Sequence, residues 1–459
     1  MRATERRHLP ADVAWGEFAV AALIFSVALL IYLASPVVTT SDAMFAMHVA
    51  ASFYNGLHGE VSAWLPAIHA TAAYRQYGFP YQLVTTPTGI YSKYPIGTPL
   101  MVVPYVALND ALGGHLLSDL GQNIAPWHDH FAASAMSAAA AAVLYLAMRR
   151  REASITAALL ATTAFVLGTS LWSTASRGLW QHGPLILCFS LAIFFLSRKP
   201  IRLIDAAAAG FALGYAVLTR QTAGLALLAI ALALLSMNWR AAFVLGLAAV
   251  PPMLVNVAYD LHAFNWIGNP YVSQYADSAT WSWTAFSGLI VSPQRGLLIF
   301  SPILLFAGYG FVHLVRERRA SSVDYAYLAY CLGLWLFLAC WPAWHGGYSY
   351  GPRMMSDPLP FLVLYLAPAW DTMARRAALP AMAGFVFLLT ISCAIHARGA
   401  TDWDVWRWNV RPDLEARLWD WRDLQILYST GRTDHPTLEG DRKDINSGAT
   451  PEGLPVMRP

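Results

Sequence analysis

Apolar runs long enough to cross a hydrocarbon core of about 30 Å recur along almost the whole of this chain, and little between them could cover a water-facing surface. Of its 459 residues 57% are hydrophobic and 12% charged, roughly half the charged share of a soluble domain. A solvated exterior cannot be built from that composition, which excludes a cytosolic enzyme, a disordered scaffold and a nucleic-acid binder. The net charge of +3 is too small to imply a polyanionic partner, so the basic residues have to be read from their positions.

The runs lie near 14–34, 131–148, 153–172, 180–197, 203–219, 222–237, 241–258, 297–315, 325–343, 353–370 and 377–395. They predict an all-α integral membrane bundle of about eleven transmembrane helices. Arg2, Arg6 and Arg7, then Arg149–Arg151, then Arg198, Lys199 and Arg202, then Arg240, then Arg316, Arg318 and Arg319, then Arg375 and Arg376 alternate with loops poor in basic residues. Positive residues stay on the cytoplasmic side, so the N-terminus is expected inside and the C-terminal tail outside. The first run lacks a small-residue cleavage pattern after it and is expected to remain as an anchor. The predominance of Arg over Lys, with many Ala, suggests a GC-rich bacterial source; the location expected for the chain is the bacterial inner membrane.

On this map residues 1–396 form the membrane bundle, with external loops at 35–130 and 259–296. Residues 397–459 form an external Trp-rich segment, expected to be disordered beyond about 431. In the first loop a helix is expected over 41–54 with Ser41 as its cap, and a small hairpin within 74–91. Ile96–Leu108, interrupted by Pro99 and Pro104, reads as an interfacial or re-entrant helix. Cys188, Cys331, Cys340 and Cys393 fall inside apolar runs and are expected to be packing residues without disulfides. No phosphate loop, dinucleotide fingerprint or tight metal motif is present in the sequence. Gly210 and Gly214 predict close helix packing.

Ionisable groups at the ends of lipid-embedded helices are costly and need partners or a task. On the external side these are Asp42, Lys93, His182, Arg220, Arg295 and Arg353: one acid facing several cations. A carboxylate within reach of a hydroxyl can take its proton, and cations at the lipid boundary can hold a phosphate whose charge grows as it departs. Lys93 is one of only three lysines in the chain, which sets it apart. This mixture fits glycosyl transfer from a lipid-linked phosphate. A transporter or flippase of a lipid-linked saccharide, or a non-catalytic membrane subunit, would use the same cations differently.

Several stretches occur in an order that resembles the GT-C superfamily of polytopic glycosyltransferases. They are Asp42 after the first run, Ser92-Lys-Tyr-Pro-Ile-Gly97, Leu179-Trp-Gln-His-Gly-Pro184, Leu218-Thr-Arg-Gln221, Ser292-Pro-Gln-Arg-Gly296 and Gly347-Tyr-Ser-Tyr-Gly-Pro-Arg353. Within that superfamily they resemble phospholipid-carrier-dependent mannosyltransferase-like proteins related to the aminoarabinose transferase of lipid A and to protein O-mannosyltransferases. The resemblance implies a metal-independent, cofactor-free, inverting transfer of a sugar from a polyprenyl phosphate to an acceptor glycan, lipid or protein at the external face. Asp42 is then the general base, and Lys93, Arg220, Arg353 and Arg295 contact the donor phosphate. His182, Tyr94 and Tyr350 are candidates for orienting the substrate. The family's second external acid has no counterpart beside Asp42 or in the 173–182 loop.

Overall fold

The computed structural model describes residues 11–39, 41–66, 79–122, 126–268, 270–276 and 278–430. The expected disorder beyond 431 and the first part of the expected hairpin, 74–78, lie outside the described residues. Among the described residues six helices are long and apolar enough to cross a membrane: Trp15–Ala34, Trp127–Arg150, Ile155–Ser173, Trp239–Phe264, Ser322–Ala339 and Leu379–Thr401. Four shorter apolar helices, His182–Leu196, Leu203–Thr219, Gln221–Met237 and Pro302–Arg316, join them. The chain is a multi-pass membrane protein built of helices, with one short hairpin outside the bundle.

Two of the expected runs are interrupted where proline removes a backbone donor and crowds the preceding turn. The run at 297–315 breaks at Ser301-Pro302 into Leu297–Phe300, Pro302–Leu304 and Leu305–Arg316. The run at 353–370 breaks around Pro358 and Pro360 into Arg353–Met355, Leu359–Val363 and Leu366–Arg375. Other boundaries also move. The helix Trp239–Phe264 continues past 258, and Leu379–Thr401 continues past 397, so the C-terminal segment leaves the bundle near 402.

Small residues set how closely the helices approach. Ala138, Ala140, Ala141, Ala157, Ala158, Ala161 and Ala164 are buried in one continuous core with Leu185, Phe189 and Leu213, an arrangement that lets backbones come together in lipid. At Gly210 and Gly214 a methyl group would overlap the carbonyl oxygens of Leu245 and Ala249, so the helix Leu203–Thr219 lies against Trp239–Phe264 with no side chain between them. The four cysteines are free thiols.

The first loop is built differently from the expectation in one respect. A short turn, Ser41–Ala43, precedes a helix that starts only at Ala46 and runs to Tyr54, with Phe45 in place of Ser41 at its cap and no side-chain cap bond. Asp42 is thereby left outside the helix. The hairpin is present as Leu83–Thr86 paired antiparallel with Gly89–Ser92. The Ile96–Leu108 run forms the helix Gly97–Ala111, whose first residue abuts Thr219 closely enough that a Cβ would sit 2.5 Å from the Thr219 Cα.

The two ends of the bundle differ in chemistry. At one end Arg149 holds Glu17 at 2.6 Å, Arg151 holds Asp324 and Arg375 holds Glu317. The helix that contains Glu17 runs at its other end into the segment bearing Asp42, and Leu203–Thr219 runs from Arg202 to Arg220.

Gly210→Ala is expected to cost about 1–3 kcal/mol through overpacking, read as a lower unfolding midpoint in detergent. Gly246→Ala, where nothing lies within 4 Å of the added methyl, is expected to leave the midpoint unchanged or slightly raised.

Candidate active site

Asp42 is delivered by an extended lead-in that is pegged from the side. After Ala34 the chain runs past Arg177, a fully buried residue whose guanidinium donates to the carbonyls of Tyr32 at 2.8 Å, Ser35 at 3.1 Å and Val37 at 3.4 Å. The Thr39 N–H donates to the Arg177 carbonyl at 2.8 Å, and the Trp180 indole donates to the Thr39 hydroxyl at 3.0 Å. Each backbone carbonyl here would otherwise be an unpaired polar group away from water, so Arg177 satisfies the segment and fixes its path together.

Both carboxylate oxygens of Asp42 are engaged. Arg353 Nη1 donates to Oδ2 at 2.8 Å, and the Tyr81 hydroxyl donates to Oδ1 at 2.8 Å. Burial disfavours the charge on Asp42, but the Arg353 guanidinium and hydrogen bonds from Arg353, Tyr81 and Tyr94 outweigh it and hold the carboxyl below the usual carboxylate range. The Asp42 side chain is still 25% exposed, so a substrate hydroxyl can reach it. The Arg353 guanidinium carbon lies 4.4 Å from the centroid of the Trp180 ring, a cation–π contact that fixes its plane.

The hairpin supplies Lys93. Its second strand ends at Ser92, and the Lys93 N–H donates to the Gln82 carbonyl at 2.9 Å. Lys93 Nζ lies 5.2 Å from the Tyr81 ring centroid and 5.8 Å from that of Tyr94, and it donates to Gln274 Oε1 at 3.1 Å. Among the described residues no carboxylate lies within ion-pair distance of it. Burial pulls its pKa down, with the Asp42 charge opposing. A nearly buried ammonium facing an amide and two rings is a cation short of an anion.

A third group comes from residues that the sequence does not single out together. Asp357, fully buried, accepts from His182 Nδ1 at 2.6 Å and meets Arg220 Nε at 3.1 Å. Arg220 Nη1 lies 3.3 and 3.4 Å from the two ring nitrogens of His182. One carboxylate therefore orients both His182 and Arg220. Asp357 was legible in principle: an acid four residues after Arg353, at the head of an otherwise uncharged run, is too costly in that setting without partners.

Asp42, Tyr94, His182, Arg220 and Arg353 line one hollow with Trp180 and Tyr271; its space, counted together with its opening to solvent, is about 570 Å³. Thr98 Oγ1 and Gln181 Nε2, on residues that line it, and Arg353 Nε are buried with no hydrogen-bond partner among the described residues. Lys93 stands beside the hollow, next to Tyr81 and Tyr94. The Tyr271 hydroxyl is pushed up to about 12 by burial and by the Asp42 charge, so it faces the hollow as a neutral group.

Arg295 and Tyr350 are not brought there. All five Arg295 donors are spent on neutral acceptors: the carbonyls of His345, Gln294 and Gly347, Gln425 Oε1 and Asn409 Oδ1. No donor is left for a phosphate, and Arg295 instead ties three segments together. Tyr350 is buried, with its hydroxyl donating to the Ile395 carbonyl at 2.7 Å. Among the described residues no group of three or more His, Cys, Asp or Glu side chains is placed to share a metal ion.

No protein-family model matches the sequence, and no curated protein matches it. Among solved structures, the chain is similar to ArnT from Cupriavidus metallidurans bound to undecaprenyl phosphate, at 16% identity and a TM-score of 0.51, over 83% of this chain and 64% of that one. Two structures of the Archaeoglobus fulgidus oligosaccharyltransferase also match. One, tethered to an acceptor peptide, is 12% identical over 90% of this chain and 60% of its own, with a TM-score of 0.46. The other, AglB with an inhibitory peptide and a dolichol-phosphate, is 10% identical over 95% and 61%, with a TM-score of 0.46. The chain spans less than two thirds of the length of these proteins. ArnT is a GT-C glycosyltransferase, and the likeness to it is one of fold.

Asp357→Ala strands a buried guanidinium without its counter-charge. It is expected to cost about 3–5 kcal/mol, seen as a lower unfolding midpoint in detergent, and Arg220→Ala is expected to cost a comparable amount by exposing the same carboxylate.

Proposed function

We propose that this chain is a glycosyltransferase that moves a sugar from a polyprenyl-phosphate donor to an acceptor hydroxyl, on the external face of a bacterial inner membrane, within a bundle of about eleven crossings. The observation that carries this reading is the meeting of Asp42 with Arg353, Arg220, His182 and Tyr94 around one hollow, with Lys93 at its side. The GT-C-like fold and the undecaprenyl phosphate named for ArnT support it. So does the placement of the hollow at the end of the bundle opposite Arg149–Arg151 and Arg375, the end that positive-inside loops assign to the outside.

The acceptor oxygen attacks the anomeric carbon from the face opposite the phosphate. The bond from that carbon to the phosphate oxygen breaks with its electron pair left on phosphate, and the hydroxyl proton passes to Asp42. The configuration inverts. As the lipid phosphate gains charge, Lys93 is the cation with no carboxylate to satisfy already, and the Arg353 and Arg220 faces turned to the hollow add to it. Tyr94 and His182 orient the sugar. The acceptor is an envelope glycan, lipid or protein hydroxyl.

The reaction is proposed to run without a resident metal, because both Asp42 oxygens already carry protein donors and the positive charge at the phosphate comes from side chains. Transfer is expected to persist in a strong chelator; loss on chelation with recovery on one divalent ion contradicts this part.

Asp42→Asn in folded protein is expected to abolish transfer from a polyprenyl-phosphate sugar while binding of undecaprenyl phosphate changes little. Undiminished turnover removes Asp42 from the base role. Lys93→Gln is expected to weaken undecaprenyl phosphate binding by about tenfold to a hundredfold, the worth of a charge-assisted hydrogen bond.

The Asp42 pKa is depressed, so its carboxylate is charged through neutral pH and the acid limb of kcat/KM falls only as pH drops through that lowered value. Arg353→Gln is expected to move the acid limb to higher pH. A limb that does not move dissociates the two residues.

A further inference from the structure

Residues 402–430 fold back as short turns, Asp404–Arg407, Trp408–Val410, Leu414–Arg417 and Gln425–Leu427, yet none of them lines the hollow. Two of their buried polar groups, Gln425 directly and Asn409 through Arg295, reach instead the loop that leads into Arg353. Gln425, fully buried, uses its whole amide. Its Nε2 donates to the carbonyls of Ser349 and Val405, both at 3.0 Å, while its Oε1 accepts from Gly351 N–H at 3.2 Å and Arg295 Nη1 at 2.7 Å. Its own N–H donates to Gln294 Oε1 at 2.7 Å. Arg295 carries the connection further, to the carbonyls of His345 and Gly347.

The loop needs that support. Gly346, Gly347 and Gly351 stand at φ of 76°, 60° and 62°, left-handed conformations that glycine adopts at little cost, and at these three positions the loop has no side chain of its own to hold it. Its backbone is held from outside by Arg295 and Gln425, with a longer bond from the Thr174 hydroxyl to the Tyr350 carbonyl at 3.3 Å, and from within by Gly347 N–H donating to His345 Nδ1 at 3.1 Å. It also packs on the guanidinium that it leads to: a Cβ on Gly346 would lie 3.3 Å from Arg353 Nε.

We propose that Gln425, acting with Arg295 through the loop 345–351, is a positioning residue for Arg353: the C-terminal strap fixes the place at which that guanidinium meets Asp42. This rests on the reading of the hollow as a lipid-phosphate site. Gln425 touches neither substrate nor Asp42, so its effect reaches the site only through Arg353. An error of about 1 Å at such a contact costs on the order of a hundredfold in a positioned reaction.

The test is a double-mutant cycle on undecaprenyl phosphate binding by the purified full-length protein, with Gln425→Met in the native and in the Arg353→Gln background. In the native background Gln425→Met is expected to weaken binding about fivefold or more, and in the Arg353→Gln background by less than about twofold, because the group it positions is gone. Trp421→Ala, at an exposed position of the same strap, is expected to leave binding unchanged. Asn409→Ala, which removes a single Arg295 acceptor, is expected to give a smaller loss with the same dependence on Arg353, and it carries the test if Gln425→Met does not fold. Equal losses in both backgrounds, or none in either, overturn the proposal while leaving the phosphate site standing. No binding by the native protein overturns both.

Discussion

The ion pair between Asp42 and Arg353 joins positions 311 residues apart in the chain, and the site is arranged around it. Asp42 reaches the hollow on a segment pegged by Arg177 and Trp180, and Arg353 on a glycine-rich loop pegged by Arg295 and Gln425. Each partner therefore arrives on backbone that is held by buried polar side chains. At the edge of a lipid-embedded bundle neither charge is cheap alone, and the pairing keeps both ionised.

The same rule explains the rest of the hollow. Asp357 neutralises Arg220 and orients His182, so two acids answer two arginines and Lys93 remains with an amide and two aromatic rings. A set of cations that exceeds its carboxylates by one, beside a hollow with unpartnered polar atoms, suits a singly charged phosphate ester more than a neutral ligand. The bundle beneath supplies rigidity cheaply: alanine and glycine at the helix contacts bring backbones together without ordering long side chains.

Helix positions were largely legible in the sequence, because runs of twenty apolar residues have few alternatives in lipid; 203–219 coincides with the helix Leu203–Thr219. Boundaries were less so. The helix Trp239–Phe264 outruns its apolar stretch because Tyr259 and Ala263 pack against the hairpin residue Tyr91, a tertiary contact that hydropathy does not encode. Asp42, Lys93, His182, Arg220 and Arg353 stood out as ionisable groups at the ends of apolar runs, and five such groups do meet or adjoin one hollow. Arg295 met the same criterion for a different reason, since a buried arginine that satisfies loop carbonyls looks identical in sequence to one that waits for a phosphate. Asp357 does not stand out in the sequence because its partners, His182 and Arg220, are far from it in the chain.

The role of the hollow turns on where a lipid phosphate sits. A cryo-EM map of the purified protein with undecaprenyl phosphate is expected to show the phosphate in the hollow within hydrogen-bond reach of Lys93, with Arg353 still on Asp42 and the isoprenoid chain leaving sideways into lipid. Phosphate density elsewhere on the bundle, or an Asp42 carboxylate turned away from the bound headgroup, contradicts it.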